Sequence, residues 1–266
     1  MPRCNRREFL AANAASGSGL AAQAGGEADS RLKVLITSAL SSLARGLAGA
    51  LNQKYRVRLT ERTRMESNLE FVECALNRDD TTSSLVRGID AIVHVAEPLP
   101  GEDDRQQIDA LTRGTYNLLW AAAEQKVPRV VFLSTLELMT PYDPAFTVSE
   151  AWRPLPSLQA PVLSKHLGEF VCREFARERK IRVIVLRLGK VVRNEEVKGK
   201  PFDPLWVEER DVAQAILAAL ASPLKDAGAG VASWWSVLHV GADSPHARFS
   251  VASAKRQLGY RPQFGW

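Results

Sequence analysis

Lys33-Val-Leu-Ile-Thr37, followed without a break by Ser38-Ala-Leu-Ser41-Ser-Leu43-Ala-Arg-Gly-Leu47-Ala-Gly-Ala-Leu51, decides the architecture of this chain. The first five residues are a short, β-branched apolar run of the kind that forms a buried strand. Leu43, Leu47 and Leu51 then recur four apart, which puts them on one face of a helix.

The same alternation continues along the chain. Strands are expected at residues 55–60, 69–74, 90–95, 129–134, 182–187 and 235–240, and helices at about 104–125, 160–179 and 208–221. Short strands alternating with helices build a parallel sheet covered on both faces. Gly88 leads into the strand at 90–95, and residues 250–262 close the domain. No internal repeat and no low-complexity segment follows residue 30.

Composition fits that reading. The chain has 266 residues, 45% hydrophobic and 24% charged, enough for one α/β domain over residues 31–266 with a full core. No apolar run approaches the ~18 residues of a membrane span. Of the formal charge of +5, the first 24 residues supply +2, three Arg against one Glu, and the remainder +3. Those remaining basic residues are scattered among acids with no dense stripe, which speaks against nucleic acid as a partner. Cys74 at a strand end and Cys172 on a helix lie too far apart to bridge and read as buried free thiols. No Cys or His spacing suits a metal.

Residues 1–30 read as a leader. Asn5-Arg6-Arg7-Glu8-Phe9-Leu10 resembles the twin-arginine export signal, a mildly apolar stretch rich in Ala, Gly and Ser follows, and Ala22-Gln23-Ala24 offers a small-x-small cleavage pattern. The expected location is periplasmic or otherwise exported, with the mature chain starting near Gly25. A tail of accidental composition in a cytoplasmic protein is the alternative.

Four motifs carry a family resemblance: Leu158-Gln-Ala-Pro161-Val-Leu-Ser164-Lys165-His166-Leu-Gly-Glu169, Leu186-Arg187-Leu188-Gly189-Lys190-Val191, Asp211-Val212-Ala213, and Ser250-Val-Ala-Ser-Ala-Lys-Arg-Gln-Leu-Gly-Tyr-Arg-Pro262. Together they resemble the extended short-chain dehydrogenases, the NAD-dependent epimerase/dehydratase family, over about residues 32–262. The resemblance implies a Rossmann-like, doubly wound parallel sheet with a small C-terminal substrate-side extension. It also implies NAD or NADP as cofactor and a sugar or sugar acid as ligand. Only a short stretch separates Val192 from Trp206, a compact layout similar to that of uronate-dehydrogenase-like members.

The resemblance assigns roles position by position. Lys165 is matched to the lysine that holds the nicotinamide ribose, and Thr135, after Ser134, to the hydroxyl that orients the substrate oxygen. The phosphate-binding turn falls on Ser38, Leu40 and Ser41, Glu61 is matched to the acid on the adenosine ribose, and Ala96 lies in the turn after the fourth strand. Arg62 and Arg64 beside Glu61 suit a 2′-phosphate, or form an exposed charged turn.

Departures are as informative. The family's glycine positions hold Ser38, Ser41 and Ala44, whose Cβ atoms crowd a phosphate, although serine hydroxyls can donate to an anion. Ala75 replaces an Asp near adenine, and Glu97 brings a negative charge toward the diphosphate unless a cation intervenes. The proton-transferring Tyr, four residues before Lys165, is Pro161, which has nothing to ionise. Tyr142 is the nearest spare phenol, more simply a loop tyrosine. His94 reads as packing. Arg187, Lys190 and Arg193 suit an acidic sugar or a solvated face.

Two readings follow. One is a degenerate, weakly active or non-catalytic member whose cleft binds a small sugar-like ligand or a partner. The other is an active NAD(P)-dependent oxidoreductase or epimerase with a relocated acid/base. A homodimer is compatible with either.

Overall fold

A computed structural model describes residues 30–223, 234–244 and 247–265. The leader reading therefore falls outside the described residues. Strand β1 (Lys33–Ile36) is buried on both faces and runs into helix α1 (Ser42–Asn52) through a five-residue turn. The helix starts where it does because the Ser41 side chain accepts the Ala44 N–H, a serine N-cap.

The chain continues through β2 (Arg56–Glu61), β3 (Glu70–Glu73), α2 (Asp80–Leu85), β4 (Ala91–His94) and α3 (Asp104–Glu124). Then come β5 (Arg129–Thr135), a 3₁₀ turn at Leu136–Met139, α4 (Ala160–Arg177), β6 (Arg182–Leu188) and β7 (Lys190–Val192). The last elements are α5 (Asn194–Val197), β8 (Trp206–Glu208), α6 (Glu209–Ala221), β9 (Trp235–Val240) and α7 (Ala252–Leu258). Seven strands form one sheet in the order β3-β2-β1-β4-β5-β6-β9, with every neighbouring pair parallel.

Strand alternation sorts the core into two layers. Val34 and Ile36 of β1 join Leu47, Leu51, Val131, Leu133 and Ile216 beneath α1 and α6, whereas Leu35 joins Ile92, Leu118, Phe132, Cys172 and Val183 beneath α3 and α4. Strand order reverses at β1, whose neighbours β2 and β4 are reached in opposite directions. The crevice outside the carboxyl ends of such strands is where open α/β sheets bind ligands.

Every expected strand and long helix is present, with ends displaced by one or two residues, which is the ordinary uncertainty of helix and strand ends. The sequence reading missed α2, α5 and the two-stranded parallel sheet β7-β8, elements of three to six residues too short to show a period. A Cβ on Gly189 would lie 2.0 Å from the Leu205 carbonyl oxygen, so the backbones approach here as only glycine permits.

The closing segment is tied by polar contacts. Asp211 of α6 accepts the Gln263 and Phe264 N–H groups, and the Tyr260 hydroxyl donates to the Gly241 carbonyl. Cys74 and Cys172 are both buried and free. No described helix is long and apolar enough to cross a membrane.

Helix α4 approaches β5 closely at Gly168, where an added Cβ would meet Phe132 Cζ at 2.6 Å. Phe132 is fully buried and cannot swing aside. Gly168→Ala should therefore cost about 1–3 kcal/mol of overpacking, more than the ~1 kcal/mol that alanine gains in helix propensity. Chemical denaturation should show a destabilised variant that Phe132→Leu rescues; an unchanged or raised midpoint for the single variant would contradict the packing.

Candidate functional site

The crevice at the end of β1 is built from strained backbone. Ser38, Leu76 and Ala96, just beyond β1, β3 and β4, all have left-handed φ angles of 54°, 53° and 54°. Such conformations cost of order 1–3 kcal/mol each for residues with a Cβ and persist only where the surroundings impose them. Of the three substituted glycine positions, Ser38 alone bears this cost. Ser41 has an extended φ of −66° and caps α1, and Ala44 lies inside the helix.

The donors expected to face a diphosphate are already engaged. The Ser38 hydroxyl donates to the Glu97 carbonyl (3.2 Å) and accepts the Glu97 N–H (3.0 Å). The Leu40 N–H donates to Glu61 at 3.1 Å, and the same buried carboxylate accepts the Arg62 N–H at 2.9 Å. Arg62 makes a two-pronged ion pair with Glu102 from the turn before α3, its Nη2 lying 2.7 Å from Oε2. Arg64 is exposed.

Below these contacts the cavity lined by Thr37, Ser38, Glu61, Ala75, Leu76 and Leu111 has about 20 Å³, room for roughly one water. The adenosine half of the crevice is filled by the protein itself. The other half is open, a cavity of about 250 Å³ lined by Ser41, Ser42, Glu97, Ser134, Thr135, Lys165, Leu188 and Gly189 among others. Larger grooves of about 450 and 1090 Å³ lie along the outer face of α3 and α4 around Tyr116, away from these residues.

Lys165 projects from α4 into the open half, yet its ammonium is committed. It donates to the Val95 carbonyl (2.7 Å) and the Leu133 carbonyl (2.9 Å), and the Glu97 carboxylate lies 3.2 Å away. Two of its three ammonium protons are thus donated to backbone, and its charge is balanced by Glu97. The cation needed to tolerate Glu97 is Lys165 itself.

The Thr135 hydroxyl accepts the Glu137 N–H and keeps its own proton available to the cavity. Ser134 instead donates to buried Glu169 at 2.6 Å, and Arg187 grips the same carboxylate at 2.8 and 2.7 Å. Arg187 is thus an internal counter-ion. Lys190 pairs with Asp203 and Arg193 with Glu209, each at the surface. None of the three cations is left over for an acidic ligand.

Pro161 occupies the first turn of α4, where its missing N–H removes no helix bond, and it is exposed. The Tyr142 hydroxyl donates to the Arg153 carbonyl and its ring packs edge-on against Trp152, outside the open cavity. Among the described residues, Glu97 and Lys165 are the only ionisable ones lining that cavity. Among the described residues no cluster suits a metal ion.

His94 is fully enclosed between two threonines. The Thr115 hydroxyl donates to the Leu111 carbonyl, so it accepts from Nε2–H; Thr37, which accepts the Val95 N–H, donates to Nδ1. This wiring fixes a neutral ring that holds β1, β4 and α3 together.

Comparison with known proteins places this geometry. Residues 35–204 match the NAD dependent epimerase/dehydratase family. The chain belongs to that family. It is 24% identical to an L-arabinose 1-dehydrogenase (NAD(P)(+)) of Haloferax volcanii over 258 residues, which covers 87% of this chain and 96% of the relative. The same identity and share of this chain hold for the uncharacterized protein YtbQ of Bacillus subtilis, 94% of which is covered. A mutant uronate dehydrogenase from Agrobacterium tumefaciens, complexed with NAD, superposes with a TM-score of 0.74 at 21% identity, covering 88% of this chain and 85% of the other.

Family membership implies NAD or NADP, and the residues can be tested for fit. They do not fit a dinucleotide in this arrangement. The adenosine half is narrow, the Ser38 and Leu40 donors are spent, and a carboxylate stands at the phosphate turn. The sequence reading missed Glu102 and the hub role of Glu169. Glu102 sits in Glu102-Asp103-Asp104, which in sequence looks like an acidic helix start and nothing more.

His94 and His239 generate a pH dependence. Burial, then the nearby Lys165 charge, pushes the His94 pKa down to about 3; burial, then the Arg187 charge, does the same to His239. The unfolded chain protonates its histidines near pH 6.5, so between about pH 6.5 and 3 the unfolded state binds more protons and stability falls with pH. Urea titrations should find the protein roughly 2–3 kcal/mol less stable near pH 5.5 than near pH 7.5. Equal values would mean that these rings are not held neutral.

Proposed function

We propose that this chain is an exported member of the family that keeps the fold and a small ligand cleft but has lost dinucleotide-dependent turnover. One observation carries the reading: the position of the proton-transferring tyrosine holds Pro161, and the only ionisable groups in the open cavity among the described residues, Glu97 and Lys165, form an ion pair at 3.2 Å. Oxidation of an alcohol needs a base at the hydroxyl, and Thr135 is too weak an acid to become one near neutral pH.

The chemistry of the cavity supports a neutral, sugar-like ligand. About 250 Å³ bordered by the Ser41, Ser42 and Thr135 hydroxyls and the Glu97 carboxylate offers donors and acceptors suited to a polyol. Arg187, Lys190 and Arg193 are all paired, so an acidic sugar would find no spare cation. Thr135 would orient a ligand oxygen with its free proton. Lys165 would hold Glu97 and the two strand ends in place. The name of the Haloferax relative favours a second reading, an active NAD(P)-dependent dehydrogenase of a sugar.

Export rests on Arg6-Arg7 ahead of Phe9-Leu10 and on the Ala-x-Ala pattern that ends at Ala24. Cell fractionation should find a mature chain beginning near Gly25 outside the cytoplasm, and replacing both Arg6 and Arg7 with lysine should retain it inside. An uncleaved, wholly cytoplasmic wild-type chain would refute export.

For the cleft, the mature protein should show no appreciable NAD- or NADP-dependent turnover on aldopentoses, aldohexoses, uronic acids or sugar nucleotides, and calorimetry should find dinucleotide dissociation constants well above the low micromolar range. Robust turnover abolished by Lys165→Ala would instead establish the active reading. Saturation-transfer NMR against the same neutral sugars tests the ligand class.

A further inference from the structure

Basic residues that lie scattered along the sequence converge in the fold. All strands of the main sheet run parallel, so every one begins at the same edge, opposite the cleft. The segments entering β1, β2, β4, β5 and β6 (residues 31–33, 54–56, 87–90, 126–129 and 178–182) bring ten Lys and Arg residues there. Their acids are Asp90 and Glu178, joined by Glu70 at the start of β3. The surplus at this edge exceeds the formal +5 of the whole chain, so the rest of the chain is net acidic.

Part of this charge serves the fold. Helices α1, α3, α4 and α6 end at the same edge, where their unpaired carbonyls attract cations. Arg129 is buried and donates to the Ala219, Leu220 and Ser222 carbonyls at the end of α6. Lys33 is held by Glu70 at 2.7 Å. Lys54, Arg56, Arg87, Lys126 and Lys180 are different. All five are exposed, and among the described residues none has a side-chain partner. Leu32, 57% exposed beside Arg31, is an apolar tip among these charges.

The starts of β2, β1, β4, β5 and β6 are successive neighbours about 4.8 Å apart, so the five segments span roughly 20 Å. Cations spread over such a face, rather than along a stripe or groove, complement a planar array of negative charge. We propose that the amino edge of the sheet docks on a bilayer surface rich in anionic phospholipid headgroups, with Leu32 entering the interface. Docking in this way is peripheral and leaves the cleft, at the carboxyl ends of the strands, facing away and open to a soluble ligand. The described chain also begins on this edge, at Ser30, so the leader proposed for residues 1–30 joins the protein on its membrane side.

Flotation of the mature protein with lipid vesicles tests the face. The protein should rise with vesicles containing about one-third phosphatidylglycerol, stay behind with phosphatidylcholine alone, and leave the anionic vesicles near about 0.5 M salt. Lys54→Glu, Arg87→Glu, Lys126→Glu and Lys180→Glu combined should weaken partitioning roughly tenfold or more. Arg45→Glu, Arg105→Glu, Lys198→Glu and Lys200→Glu combined, at exposed cations away from this edge, change the net charge equally and should weaken it far less. Glutamine at the four edge positions guards against misfolding of the glutamate variant and should give an intermediate loss. Leu32→Ser should give a smaller one. Equal losses in the two glutamate sets would reduce the effect to net charge and overturn the face. Flotation with phosphatidylcholine alone, or no flotation with anionic vesicles, would overturn it as well. A single-stranded oligonucleotide that strips the protein from vesicles at equal phosphate concentration would assign the face to nucleic acid and overturn the bilayer. None of these outcomes depends on what the cleft binds.

Discussion

An ammonium carried into the end of a parallel sheet must find partners, and the solution found by Lys165 governs the rest of the cleft. Two of its protons go to the carbonyls of Val95, just past β4, and Leu133, near the end of β5, and its charge lies beside Glu97. A buried cation without such partners would be too costly to keep. With them, it becomes a structural tie between α4, β4 and β5.

Around this tie side chains of the crevice bond to one another and to backbone. Ser38 bears the strain of a left-handed φ and repays it by bonding twice to the Glu97 backbone. Glu61 turns inward to the Leu40 N–H, and Arg62 turns across to Glu102. Each contact uses a donor at the strand ends, and in two of them the acceptor is a carboxylate of the chain.

The fold tolerates this because its stability lies elsewhere. The sheet is buried between two apolar layers, and a neutral His94 and the Ser134–Glu169–Arg187 network satisfy the buried polar groups beneath the cleft. Those contacts join the strands to one another and to the flanking helices α3 and α4. A family member can therefore keep its architecture while the chemistry at the strand ends drifts.

The sequence by itself determined the doubly wound sheet, because strand runs and helical faces differ in period and each long element spans enough residues to show it. The family resemblance pointed to Thr135, Lys165, Ser38, Leu40, Ser41, Glu61 and Ala96, of which Ser38 and Glu61 line the small cavity and Ser41, Thr135 and Lys165 the open one, and identity alone settles the absence of an ionisable group at Pro161. What the sequence left open was partnership. Glu102 lies forty residues from Arg62, Glu169 eighteen from Arg187 and Glu97 sixty-eight from Lys165, so no local pattern links them. Whether a charged side chain faces a ligand or another residue depends on which strand ends the fold brings within about 3 Å, the range over which a hydrogen bond acts. That choice belongs to the tertiary structure, because hydrogen bonds are short-ranged in space while the chain that supplies their two ends is long.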